Sequence, residues 1–187
     1  MIGRIGIRPN FWLFPVSLIV ILGLASVSPA GLPGAHVAAA RPPVQLSSFD
    51  IASAVPRPVE ETTALSVQRD YAHAWQSLIS ALESNRADLL NEDFTGGARQ
   101  QWAEAISLQQ RNRLSRRIED HGHHVRVTFY SPDGSAMEAT DTADFDIQYY
   151  EGTRILFSEH VRTRYLVLLT PGENSWKLRI LQEVPAS

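Results

Sequence analysis

Asp141 and Glu159 are the side chains whose placement matters most for chemistry. Each lies in a stretch of two-residue alternation and falls on the apolar phase. Asp141 shares its phase with Met137, Ala139, Ala143, Phe145, Ile147 and Tyr149; Glu159 shares its own with Ile155, Phe157, Val161, Thr163, Tyr165, Val167 and Leu169. A carboxylate drawn out of water becomes a stronger base, and a hydroxyl from Tyr165 or Tyr149 could donate to an oxyanion forming opposite it. That is the equipment of an isomerase or hydro-lyase. An unpaired buried carboxylate is costly, however, so Glu159 has to be paired, protonated or at an open rim. The plainer reading puts both acids at strand bulges or a cavity mouth, in contact with water. Asp141, Glu159 and Tyr165 are therefore catalytic candidates without an assigned role.

Two further clusters carry less. His121-Gly122-His123-His124 invites a metal reading, yet adjacent residues of an extended chain point to opposite faces, and a zinc site needs three or four converging ligands. The sequence is read as holding no metal and no cofactor. Arg111, Arg113, Arg116 and Arg117 could grip an anion, but they also suit the C-terminus of a helix and have Glu119 and Asp120 close by. Without interleaved aromatic residues they make no nucleic-acid surface, and the chain's formal charge of -3 argues the same way.

The elements that position these groups follow from periodicity. Val67, Tyr71, Ala74, Trp75, Leu78 and Leu82 recur at three- and four-residue steps, which predicts a long helix from Glu60. Its polar side carries Arg69, Asp70, His73, Gln76, Ser77 and Ser80, so His73 reads as solvated surface. A short second helix is expected around Arg86–Asn91. A third, beginning after Thr95-Gly96-Gly97, is expected to end in the arginine cluster. From His123 the period is two, with Val125, Val127 and Phe129 on one face. Turn signals at 131–134, 151–152 and 171–174 separate three more strands.

Parity fixes an expected register. A four-residue turn at 171–174 places Leu169 beside Trp176 and Val167 beside Leu178. A three-residue loop after Tyr150 places Ile147 beside Phe157 and Asp141 beside Thr163. The inner face then continues along Trp176, Leu178, Ile180, Gln182 and Val184. The outer face becomes a charged ladder, with Asp144 opposite His160 and Thr142 opposite Arg162, and with Leu166, Leu168 and Leu181 as its apolar members.

The N-terminus reads as an export signal. Arg4 and Arg8 precede the apolar run Phe11–Val27, no acid occurs before Asp50, and Ser28-Pro29-Ala30 offers a small-x-small cleavage site. The run is also at the lower edge of what spans a bilayer, so residues 1–30 are a signal peptide or a membrane anchor. Either outcome leaves the rest outside the cytoplasm, secreted, periplasmic or membrane-anchored. Six prolines between 29 and 58 predict a tether over 31–58, with the folded domain at 59–187. The absence of cysteine excludes disulfides, thiolate catalysis and cysteine-ligated metal.

Element order, the pattern Tyr71-x-x-x-Trp75-x-x-Leu78 and the long strands at 136–149 and 154–170 resemble the nuclear transport factor two-like superfamily, over about residues 60–185. The resemblance implies an α+β cone, three N-terminal helices packed on a bent four-stranded antiparallel meander. It also implies an interior pocket, lined here by Tyr71, Trp75, Phe145, Tyr149, Phe157, Thr163, Tyr165, Trp176 and Gln182. The superfamily includes ketosteroid-isomerase-like and SnoaL-like enzymes as well as non-catalytic domains. No catalytic pattern of those enzymes is matched here, so no catalytic residue is carried over. The absence of a short hairpin between the second and third helices makes the chain more similar to a non-enzymatic branch that includes membrane-tethered domains of the mitochondrial import motor and of plastid-division proteins. The expectation is a binding or assembly domain, with a small apolar ligand, a protein partner or a second copy as its counterpart, and a membrane contact only through an uncleaved N-terminus. The alternative is an isomerase or hydro-lyase using an inner carboxylate.

Overall fold

Helix α1, Glu61–Ser84, buries the predicted stripe together with Ala64, Asp70, Ile79 and Ala81. The buried band is wider than one stripe because α1 is covered by the sheet on one side and by the next helical segments on another. Asn85, in the left-handed region at φ 56°, ends it. The computed structural model that shows this describes residues 43–184. The apolar run Phe11–Val27, the Ser28-Pro29-Ala30 cleavage site and the first part of the proline-rich stretch lie outside the described residues. Among the described residues no helix is long and apolar enough to cross a membrane.

The expected second helix is a single 3-10 turn, Ala87–Leu90, so among the described residues there are two α-helices and not three. Helix α2, Gly96–Arg111, stops before most of the arginine cluster. Arg113 sits in the left-handed region at φ 56° and reverses the chain into a strand starting at Leu114. Only Arg111 therefore meets the helix dipole; Arg116 and Arg117 are strand residues, drawn out of the helix by pairing with Tyr149 and Gln148.

The sheet is mixed and six-stranded, where a four-stranded antiparallel meander was expected. Strands β1 (Leu46–Asp50) and β2 (Val55–Pro56) both run parallel to β3 (Leu114–Tyr130). The C-terminal half of the segment read as a tether is thus part of the sheet. Its prolines did not prevent this, since a strand at a sheet edge tolerates them. Strands β4 (Met137–Glu151), β5 (Arg154–Pro171) and β6 (Trp176–Val184) follow in antiparallel order.

The register differs from expectation in an instructive way. The β4–β5 connection is a two-residue turn at Gly152-Thr153, with Gly152 at φ 61° and Glu151 paired with Arg154. Asp141 faces Tyr165, and Ile147 faces Glu159, two residues away from the expected partners. A slip of two keeps every side chain on its face, so Met137, Ala139, Asp141, Ala143 and Phe145 are buried together with Tyr165, Val167 and Leu169. Leu169 pairs with Leu178, and a bulge then leaves Arg179 without an opposite number, so that Leu168 meets Ile180. The bulge inverts the alternation of β6: Leu181 is buried and Gln182 is exposed, the reverse of the expected faces.

A second bulge, in β3 at His121-Gly122, switches the buried phase from Ile118 to His123, Val125 and Val127. Gly122 has φ 142°, and a Cβ there would lie 2.2 Å from Ser47 Oγ on β1. Gly122→Ala should therefore lose roughly 1–3 kcal/mol of unfolding free energy in urea. Removing the Ser47 hydroxyl as well, in Gly122→Ala/Ser47→Ala, should recover part of that loss, leaving the backbone strain. An unchanged midpoint in the single variant contradicts the close approach.

Candidate functional site

The bulge at Gly122 delivers His123 to the inner face, where the carboxylate of Asp141 meets it. Tyr71 Oη donates to Asp141 Oδ2 at 2.6 Å, and His123 Nδ1 lies 2.7 Å from the same oxygen. Tyr71, His123 and Asp141 are fully buried, at 0% exposure. They bring α1, β3 and β4 together at one point. Asp120, one step before the bulge, places Oδ1 3.2 Å from His123 Nε2, in a geometry that makes an ion-pair contact but no hydrogen bond.

Burial works against a charged imidazole here, but the close contact with Asp120, the hydrogen bond to Asp141 and the negative charges of both outweigh it and hold His123 up at about 9. His123 is thus an imidazolium at neutral pH, ion-paired with a buried carboxylate. Burial first, and the Asp141 charge second, push the Tyr71 hydroxyl well above its ordinary value, so it stays a donor. Burial likewise raises Tyr165. Trp75 packs over this group, its ring centroid 4.5 Å from that of His123 and 5.4 Å from that of Tyr165. Phe145 completes the aromatic layer at 6.3 Å from Trp75.

Of the residues expected to line a pocket, Tyr71, Trp75, Phe145 and Tyr165 are therefore gathered in one buried layer. Trp176 and Thr163 are half-buried, and Thr163 Oγ1 donates to Glu183. Tyr149 stacks on Phe157 with centroids 4.3 Å apart, beyond the end of the core, and Arg116 lies 5.4 Å over the Tyr149 ring. Phe157 is 51% exposed, Glu159 is exposed and receives the Tyr149 hydroxyl at 3.2 Å, and Gln182 is exposed. Asp141 and Glu159, the two candidate bases, are thus separated: one is sealed in the core and the other is in water.

Two buried acids fix the helices. Asp70, expected on the polar side of α1, accepts the Trp176 backbone N–H at 2.8 Å and pairs with Arg69. Asp93 accepts the Ser77 hydroxyl at 2.6 Å and lies 2.9 Å from His73 Nδ1, so His73 is tied to the protein although its side chain is partly in solvent. His123 is the member of the buried cluster that periodicity alone understated. Its phase with Val125 and Val127 marks it as inward, and the alternation of β4 supplies the acid it must meet.

No protein-family model matches the chain, and no curated protein matches it. Solved structures do. The intermembrane space region of the chloroplast protein ARC6 superposes with a TM-score of 0.58 at 14% identity, covering 70% of this chain and 100% of that one. A protein from Novosphingobium aromaticivorans assigned as a scytalone dehydratase aligns at TM-score 0.48 and 11% identity, covering 67% and 89% of the two chains. A protein from Streptomyces avermitilis assigned as a dehydratase of the NTF2-like family aligns at 0.41 and 11%, covering 64% and 96%. The fold is the nuclear transport factor two-like fold.

The His123–Asp141 pair has a signature in stability. A base whose folded pKa is raised contributes fully below its unfolded value near 6.5 and loses that contribution as pH climbs through about 9. Urea unfolding should therefore show stability declining between pH 6.5 and 9. Asp141→Asn should lose about 3–5 kcal/mol at pH 6 and flatten the decline, since the imidazolium then has no buried counter-charge. A wild-type midpoint constant across that interval contradicts the ion pair.

Proposed function

We propose that this chain is a non-catalytic binding or assembly domain that acts outside the cytoplasm. The observation that carries the reading is the closure around Asp141. The one carboxylate of the inner face that keeps a hydrogen-bonded acid–base partner has no exposed atom surface, and its charge is already matched by His123. A general base has to come within hydrogen-bond reach of the proton it takes. Glu159, the other candidate, is exposed on the far part of β5, away from the closed aromatic layer. Similarity to the ARC6 intermembrane space region supports a location outside the cytoplasm, in keeping with the signal-like segment before residue 31. Fold alone does not select a function in this architecture.

The binding surface in this reading is the far end of the β4–β5 hairpin. Strand β5 has 18 residues, about 60 Å of extended chain, whereas the 24-residue α1 covers only about 36 Å. The strands outrun the helix, and every residue from Glu151 to His160 is exposed. Ile155, Leu156 and Phe157, at 53%, 43% and 51% exposure, form an apolar run there. Strand β6 ends at Val184 opposite Arg164, so among the described residues β5 from Arg154 to Thr163 has an unpaired edge. A free edge flanked by apolar side chains pairs readily with another strand, and an identical strand offers a two-fold, self-complementary arrangement. The occupant proposed is a second copy.

A second reading, an isomerase or hydro-lyase with Asp141 as base, draws on one observation: His123 and Tyr71 converge on that carboxylate. It requires the aromatic layer of Trp75, Phe145 and Tyr165 to open for a substrate.

Sedimentation velocity distinguishes them. The wild-type protein should gain mass toward a dimer as its concentration rises to about 100 µM, and Leu156→Asp/Phe157→Asp should stay monomeric with an unchanged far-ultraviolet spectrum, given that such interface anchors dominate binding energy. A wild-type chain monomeric throughout overturns assembly through this edge. An apolar compound retained in native mass spectrometry and absent from Tyr165→Trp favours the second reading.

A further inference from the structure

The outer face of the sheet carries a group of side chains that the buried site does not use. Three adjacent strands contribute to it. His121 comes from the β3 bulge, Asp144 and Asp146 from β4, and His160 from β5, where it pairs in register with Asp146. His121 Nε2 lies 2.9 Å from Asp146 Oδ2, and His160 Nδ1 lies 2.9 Å from Asp146 Oδ1. His160 Nε2 is 3.5 Å from Asp144 Oδ1. The two imidazole centroids are 6.1 Å apart, and one donor atom from each of His121, Asp146 and His160 falls within 4.8 Å of the others. His121, His160 and Asp144 also line a cleft of about 300 Å³ with Ser47, His124, Thr142 and Arg162.

We propose that His121, Asp146 and His160 form a binding site for a divalent first-row ion of the zinc class, with Asp144 held against the other ring nitrogen of His160. Two imidazole nitrogens and a carboxylate oxygen are the donor set that zinc, cobalt and nickel accept, and three protein ligands leave a coordination position open. The 2.9 Å contacts are those of shared protons; an ion bonded at about 2.0–2.2 Å to each donor replaces two such protons with one dication, after small side-chain rotations. The donors are half-exposed, between 39% and 59%, so those rotations are available and the open position faces water. The sheet itself supplies the preorganisation. The bulge at Gly122 turns His121 onto the outer face, while the two-residue turn at Gly152-Thr153 sets the register that brings His160 opposite Asp146. Arg162, the cation of this cleft, pairs in register with Asp144 on the neighbouring position and leaves Asp146 to the two histidines.

Ordinary ion pairs between histidine and aspartate on a wet face would give the same contacts without an ion, and titration with a metal separates the two. The full chain, purified without a histidine tag, is titrated calorimetrically with Zn(II), and its Co(II) form is examined for visible absorption. One Zn(II) per chain is expected to bind at micromolar or lower concentration. His121→Ala, His160→Ala and Asp146→Asn should each weaken binding about tenfold or more. His124→Ala, which alters the same cleft outside the cluster, should leave it within about twofold. Far-ultraviolet spectra confirm that the variants fold. Absence of Zn(II) binding at about 100 µM, or equal binding by the wild type and the three ligand variants, overturns the site, as does a loss as large in His124→Ala.

Discussion

A carboxylate with no access to water has to be neutralised where it stands, and in this protein Asp141 imposes that requirement on three elements at once. The hydroxyl of Tyr71 reaches it from α1 and the imidazole of His123 from β3, at 2.6 and 2.7 Å. Neither contact survives a change in helix position of an ångström or a one-residue slip of β3, so the pair fixes the docking of the helix and the register of the sheet together. A buried pair of this kind gives little net stability over an apolar replacement, but its loss on one side is severe. Its role here is read as geometric specification more than as strength.

That requirement gives meaning to the bulge at Gly122. In an uninterrupted strand with Ile118 and Asp120 inward, His123 would point to solvent. The extra residue reverses the phase, sends His123 inward and leaves His121 on the outer face. One irregularity in the chain thereby creates two clusters, a sealed one around Asp141 and an open one around Asp146. Glycine suits the position because its φ of 142° strains any L side chain, and a Cβ there would also displace the Ser47 hydroxyl of β1.

Chemistry and exposure are distributed unequally between those clusters. The inner group has the residue types of acid–base catalysis but no surface; the outer group and the overhanging hairpin have the surface. The length mismatch between β5 and α1 is the simplest cause, because strands advance more than twice as far per residue as a helix and so leave the shelter of the helix layer.

Much of this could be read in the sequence. The three- and four-residue spacing from Val67 to Leu82 determined α1 and its buried face, and the odd-numbered alternation from Met137 to Phe145 and from Tyr165 to Leu169 determined the inner wall, because side-chain direction follows from local backbone period alone. The α+β class and the resemblance in fold came from the same signals. Tertiary structure decided the rest. Bulges at Gly122 and Arg179 depend on what lies across the strand, and they moved His123 and Leu181 inward and Gln182 outward. Leu46–Asp50 became a strand only because the edge of β3 was there to pair with. Periodicity could mark Phe157 and Glu159 as members of an apolar phase, but it carries no information about where the opposing helix ends, and that distance is what left them in water.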